Sequence, residues 1–117
     1  MNPDRRKAYR KGIWAERLAA LSLMLNGYGI VARRYKTPVG EIDLVARKKD
    51  LILFVEVKAR VTETIALESV TRTAQQRIEA AANWWISQQD DAGNLNWRFD
   101  VIAVVPKKWP IHFKDVW

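Results

Sequence analysis

Apolar and polar positions alternate with two different periods along this chain, and each change of period marks an element. From Gly12 onward, Trp14, Leu18, Leu21 and Leu25 recur at helical spacing, which predicts a helix with that seam against a core. Asn2-Pro3-Asp4 has the pattern of a helix start, so the helix begins either there or near Gly12. Gly27 and Gly29 end it, Gly27 as a left-handed C-cap. Residues 30–35, IVARRY, then read as a short strand at or near an edge, and Thr37-Pro38-Val39-Gly40 as a turn.

A period of two takes over in GEIDLVARKKDLILFVEVKAR, residues 40–60. Two strands, 41–47 and 51–60, flank the charged turn Lys48-Lys49-Asp50. Strict alternation sets Glu41, Asp43 and Val45 on one face of the first, with Ile42, Leu44 and Ala46 on the other. In the second, Ile52, Phe54, Glu56 and Lys58 oppose Leu53, Val55, Val57 and Ala59, so both faces are apolar until the run ends in charge. Such a strand is covered on both sides. Residues 61–68 have no strong period and read as a mobile loop beside that charged end. Ser69 is placed to cap a second helix reaching about Gln88, with Ala74, Ile78, Ala81 and Trp85 as its buried seam. A polar connection, 90–96, leads to the strand RFDVIAVV at 98–105, which Pro106 terminates. In the tail, 107–117, Ile111-His112-Phe113 is a candidate edge strand, while Trp109 and Trp117 call for burial or a partner.

The resulting order, α-β-β-β-α-β, predicts an α/β fold of the α+β type in one domain, 1–117, with a central mixed sheet flanked by helices. A chain of 117 residues suffices for a single core. No apolar run approaches the roughly 20 residues of a membrane span, and the N-terminus lacks a signal-peptide core. A cytoplasmic location without membrane association is the expectation.

The charges at strand positions change the picture. An unpaired buried charge is costly, so Asp43, Glu56 and Lys58 must either neutralise one another or surround something cationic. A hairpin about residues 48–50 sets opposite one another residues whose numbers sum to 98 or 99, which brings Asp43 to Val55 or Glu56. Two carboxylates with a main-chain carbonyl, that of Val57, are a donor set for magnesium or manganese that leaves room for water and a phosphate oxygen. With no cysteine and one histidine, His112, nitrogen or sulfur ligation of the zinc type is disfavoured. Lys58 would orient water or offset transition-state charge. Glu16, among the small residues Gly12, Ala19 and Ala20, is a further ligand if the first helix crosses this end of the sheet. The competing reading is structural: an ion pair of Lys58 with Asp43 or Glu56 closing the sheet, and Glu16 an exposed helix residue. Asp100 is read as a structural acid paired with Arg98 or Arg60.

Twenty basic against 13 acidic residues leave a net charge of +7, which favours a polyanionic partner. In the first eleven residues Arg5, Arg6, Lys7, Arg10 and Lys11 oppose only Asp4. That segment is either a solvated tail or a phosphate contact. Arg60, Gln75, Gln76 and Arg77 lie where they could reach the same ligand.

At Gly12 to Glu16, Gly27-Tyr28, GEIDLV, FVEVKAR, Gln75-Gln76-Arg77-Ile78 and RFDVIAV, the chain resembles the uncharacterised bacterial YraN family. That family is placed within the restriction-endonuclease-like superfamily with archaeal Holliday-junction resolvases. The resemblance implies a PD-(D/E)XK-type site, with Asp43 and Glu56 as metal ligands, Lys58 as catalytic lysine and Glu16 as the acid of the first helix. It also implies a lysine where this chain has Ala74. The leading expectation is therefore a magnesium- or manganese-dependent nuclease, or nuclease-like protein, acting on DNA, branched or damaged DNA included. The alternatives are a non-catalytic nucleic-acid-binding module of the same fold, and a protein-interaction subunit that dimerises through its tryptophan-rich tail.

Overall fold

The computed structural model describes residues 2–117. Helix α1 spans Pro3–Leu25, and three strands follow: β1 Gly29–Thr37, β2 Gly40–Lys48 and β3 Leu51–Ala59. Two helices, α2 Glu63–Glu68 and α3 Arg72–Ser87, cross over to β4 Asn96–Val104, and β5 Ile111–Phe113 completes the sheet. The five strands lie in sequence order, antiparallel except for the parallel pair β3 and β4. That pair is the one whose connection must cross the sheet, and α2 and α3 make the crossing.

The longer start of α1 is the one adopted. Asn2 accepts the amide hydrogens of Asp4 and Arg5 at 2.7 and 3.4 Å, and Pro3 occupies the first turn, where its missing N–H costs nothing. At the other end Gly27 takes φ 89°, and the amides of Gly27 and Tyr28 bond back to the carbonyls of Met24 and Leu23. This is the paired closure that a left-handed glycine permits.

The seam expected to face the core does not. Trp14 is 61% exposed and Leu25 69%, and Leu21 is also open to solvent. The buried face instead consists of Ala15, Ala19, Ala20, Ser22 and Leu23. Small side chains let the helix axis settle close to the sheet, so the larger residues flank the contact. Against this face lie Leu44, Ala46, Leu53, Val55 and Ile102. The opposite face carries Ile42, Val45, Ile52 and Phe54 under Ile78, Ala81, Ala82 and Trp85 of α3. The central strand β3 is thus covered on both sides, as its apolar run predicts.

Residues 61–68 are not a loop. Thr62 caps α2 by accepting the Ile65 amide hydrogen at 3.1 Å, and Ala66 is buried against Ala103 and Val105. One short turn has too few positions to display a period, which hid it. The cap of α3 is Thr71 rather than Ser69. The tail is tied down by Asp100, whose buried carboxylate accepts hydrogen bonds from the Arg98 guanidinium at 2.9 Å and the Asp115 amide at 2.9 Å. It also lies 2.6 Å from the His112 ring. Burial opposes its ionisation, but His112, Arg98 and the Asp115 amide together hold its pKa below the ordinary carboxylate value. Trp117 stacks on Phe99 with ring centroids 5.2 Å apart, while Trp109 stays exposed.

Gly40 fixes the distance between α3 and the start of β2. A Cβ there would stand 2.2 Å from the main-chain oxygen of Arg77, so only glycine allows this approach. Gly40→Ala should lower stability by about 2 kcal/mol, the order typical of overpacking a close contact, read as a fall in Tm. Asp100→Asn should cost about 3 kcal/mol by leaving the half-buried Arg98 guanidinium beside a neutral amide, measured by urea unfolding.

A candidate acid cleft where two strands part

The β2–β3 hairpin has the register in which paired numbers sum to 99, from Lys48 opposite Leu51 to Leu44 opposite Val55. The pairing stops there, although β2 remains paired with β1 back to Gly40. Continuing the register would set Val57 against Ile42. Instead the Val57 amide donates to Oδ2 of Asp43 at 2.8 Å, a side-chain carboxylate standing in for a strand carbonyl.

A left-handed residue in β1 accompanies the parting. Arg34, which lies between the pairs Arg33–Leu44 and Tyr35–Ile42, has φ 48°, an unusual value for a strand residue other than glycine. The alternation of β2 breaks at the same level. Ile42, expected on the face of Leu44, packs with Val45 on the α3 side. The charges at residues 43 and 56 therefore mark the place where the sheet opens.

Inside the opening the two carboxyls meet. Glu56 is half-buried and its pKa is pushed up to about 9. Burial is the largest cause; the hydrogen bond to Asp43 and its charge add to it, Glu41 adds a little, and Lys58 opposes. At neutral pH Glu56 therefore keeps its proton. Lys58 follows two residues along β3, on the face that alternation assigns to Glu56.

Two recesses surround the pair. A cleft of about 200 Å³ is lined by Glu16, Arg34, Lys36, Glu41, Ile42 and Asp43. A smaller recess of about 120 Å³ is lined by Glu41, Glu56, Ala74, Arg77 and Ile78. Glu41 borders both. The small side chain of Ala74 leaves the recess open, and Arg77, one turn along α3, supplies its cation.

Glu16 reaches the cleft, as expected if α1 crosses this end of the sheet. There it is engaged by Arg34, whose Nε donates to Oε2 at 2.7 Å. The guanidinium in turn sits 5.2 Å from the centre of the Tyr9 ring. Among the described residues no group of three or more His, Cys, Asp or Glu side chains is gathered to hold a metal ion. The donor set is thus the Asp43–Glu56 pair with neighbouring main-chain oxygens such as that of Val57. Two carboxylates plus water suit magnesium or manganese, and a cation could replace the proton on Glu56.

Of the other predicted contacts, Arg5, Arg6 and Lys7 are exposed on the first turns of α1. Arg60 donates to the Ala59 carbonyl at 2.9 Å, and Gln75 to the Val70 carbonyl at 3.4 Å. Sequence reasoning missed Arg34 and Lys36. The usable signal was Arg33-Arg34 in a short strand beside an acid-bearing one, an arrangement that brings bases to a cleft whenever the strands pair.

The sequence model described as "Uncharacterised protein family UPF0102" matches residues 15–104, which span every element named above from the buried half of α1 to the end of β4. A UPF0102 protein of Chelativorans sp. (strain BNC1) is 53% identical over 114 residues, covering 97% of this chain and 92% of the relative. Relatives from Agrobacterium fabrum and Brucella canis are each 55% identical, covering 95% and 96% of this chain and 91% and 89% of their own lengths.

The raised Glu56 pKa has a thermodynamic sign. Between the ordinary glutamate value of 4.5 and about 9 the folded chain holds a proton that the unfolded chain has released. Stability from this group is therefore complete below the lower value and declines as pH rises toward the upper one. In chelator, thermal melts between pH 5.5 and 8.5 should show Tm falling with pH. Glu56→Gln should flatten that slope.

Proposed function

The chain belongs to the uncharacterised protein family UPF0102, and from the geometry of its acid cleft we propose that it is a magnesium- or manganese-dependent nuclease acting on DNA. The observation that carries this reading is the Asp43–Glu56 carboxyl pair, held where β2 parts from β3, with Lys58 next on the same face.

Phosphodiester hydrolysis needs three things at one point: charge neutralisation on the phosphate, an oriented water, and a path for the proton that water loses. A bound magnesium or manganese ion would supply Lewis acidity toward the phosphate and toward water. The remaining work falls to side chains of this chain. Asp43 is oriented by the Val57 amide, so its carboxylate loses little freedom on meeting a ligand. Glu56 has a proton to give up when a cation takes that place. Lys58 brings a positive charge beside the pair, suited to orienting water or offsetting charge on the phosphate. Arg34 and Lys36 border the cleft on the β1 side and Arg77 on the α3 side, placed to receive the flanking phosphates. The exposed basic turns of α1 extend the same field outward.

A second reading, a nucleic-acid-binding module that does not cleave, is favoured by one observation. Arg34 occupies Glu16, which leaves two gathered carboxylates rather than three.

Cleavage of single-stranded, duplex, junction and damaged DNA with magnesium or manganese separates the two. Asp43→Asn and Lys58→Ala should each lower the rate by about a hundredfold or more. Cutting that survives Lys58→Ala would remove that residue from the mechanism. A manganese-induced rise in Tm that vanishes in Asp43→Asn supports the nuclease reading; salt-sensitive DNA binding without any metal response supports the module.

A further inference from the structure

Beyond the acid cleft, α1 borders a second feature on its other flank. Trp14 and Glu16 are two residues apart on a helix, about 200° around its axis. Glu16 turns to the acid cleft. Trp14, the most exposed of the tryptophans, lines a groove of about 210 Å³ at the far ends of β3 and β4. Its floor is apolar, made of Ala15, Leu18, Ala59, Val104, Val105 and Pro106. Its rim is cationic: Lys11 from α1, with Lys107 and Lys108 from the turn after β4. Lys107 stands at φ 63°, in the left-handed region, so this turn holds an uncommon backbone conformation where it presents its two lysines.

We infer that this groove is a binding subsite for single-stranded DNA, in which the Trp14 indole stacks on an unpaired base while Lys11, Lys107 and Lys108 contact the flanking phosphates. The inference rests on the nucleic-acid part of the proposed function and not on cleavage.

Three observations favour this occupant. A large indole left in solvent gives up burial that a partner surface can restore, and every nucleobase offers a flat apolar face. The rim is complementary to a phosphate backbone, since its charged groups are lysines and, among the described residues, Lys108 alone of the three forms an ion pair, with Glu63 at 3.9 Å. The groove also includes Ala59, the residue after Lys58 on β3, so it opens at the same end of that strand as the acid pair. In duplex DNA the base faces are already stacked, and the indole would have nothing to cover. The ligand is therefore unpaired, as in a flap, a gap or a frayed end.

The test is fluorescence anisotropy with a labelled oligothymidylate and with the same strand made abasic, in chelator so that nothing is cut. Trp14→Ala should weaken binding to the thymidylate about tenfold and leave the abasic strand unaffected, while Trp14→Phe should retain most of the affinity. Lys11→Ala with Lys107→Ala should reduce the slope of log affinity against log salt by roughly 1.4, as two lost phosphate contacts require. Unchanged binding in Trp14→Ala overturns the proposal, as does an equal loss on both strands. Self-association abolished by Trp14→Ala, with DNA binding intact, assigns the groove to a second copy of the chain and overturns it too. Thermal melts of each variant check folding; Trp14→Phe and the lysine pair still decide the matter if Trp14→Ala is unstable. Cleavage that persists while Trp14→Ala binds normally would sink only the subsite, and stacking without any cleavage would sink only the nuclease.

Discussion

The hydrogen bond from the Val57 amide to the Asp43 carboxylate is the constraint on which the cleft depends. A strand that leaves its neighbour abandons amides and carbonyls that must find other partners or remain exposed. Here a side chain of the departing strand satisfies the amide it leaves behind. The same oxygen that closes the ladder also turns its carboxyl group toward Glu56. Sheet termination and assembly of the acid pair are therefore one event, and Asp43 cannot be altered for one purpose without disturbing the other.

The elements around this point act as supports. The alanine face of α1 lets the helix sit low over β3, which carries Glu16 to the rim of the cleft. Gly40 lets α3 approach β2 at backbone contact and so brings Arg77 to the recess beside Glu56. The left-handed Arg34 lies on the outer strand at the level where the inner one departs, and its guanidinium closes on Glu16. Each is a local feature. Together they assemble acids and bases from five elements around a gap that no one element creates.

Strand alternation and hairpin register were enough to bring residues 43 and 56 together from the sequence, because a period of two and a turn of fixed length leave little choice. The same rule misplaced Ile42, since alternation assumes a continuous ladder and the ladder ends at Leu44. The helical seam of α1 was misread for a related reason. Hydrophobicity ranks Trp14 and Leu25 above alanine, whereas close packing ranks alanine first. Asp100 was legible as a structural acid because Arg98 stands two residues away on the same face, but its bonds to His112 and the Asp115 amide depend on how the tail folds back. The arginine on Glu16 comes from a different element and has no local signature.

The length of α1 has a further consequence. Residues 2–11 are exposed throughout, while burial of the helix begins at Ala15. A helix without apolar burial relies on capping and intrinsic propensity, which are weak over so few turns. The two halves of one continuous rod therefore differ in local free energy, and hydrogen exchange in the outer half proceeds by fraying while the inner half waits on larger openings. Five basic side chains sit on the half that frays. A polyanion that straightens it would spend part of its binding energy on order, so its affinity would report the helix as much as the contact.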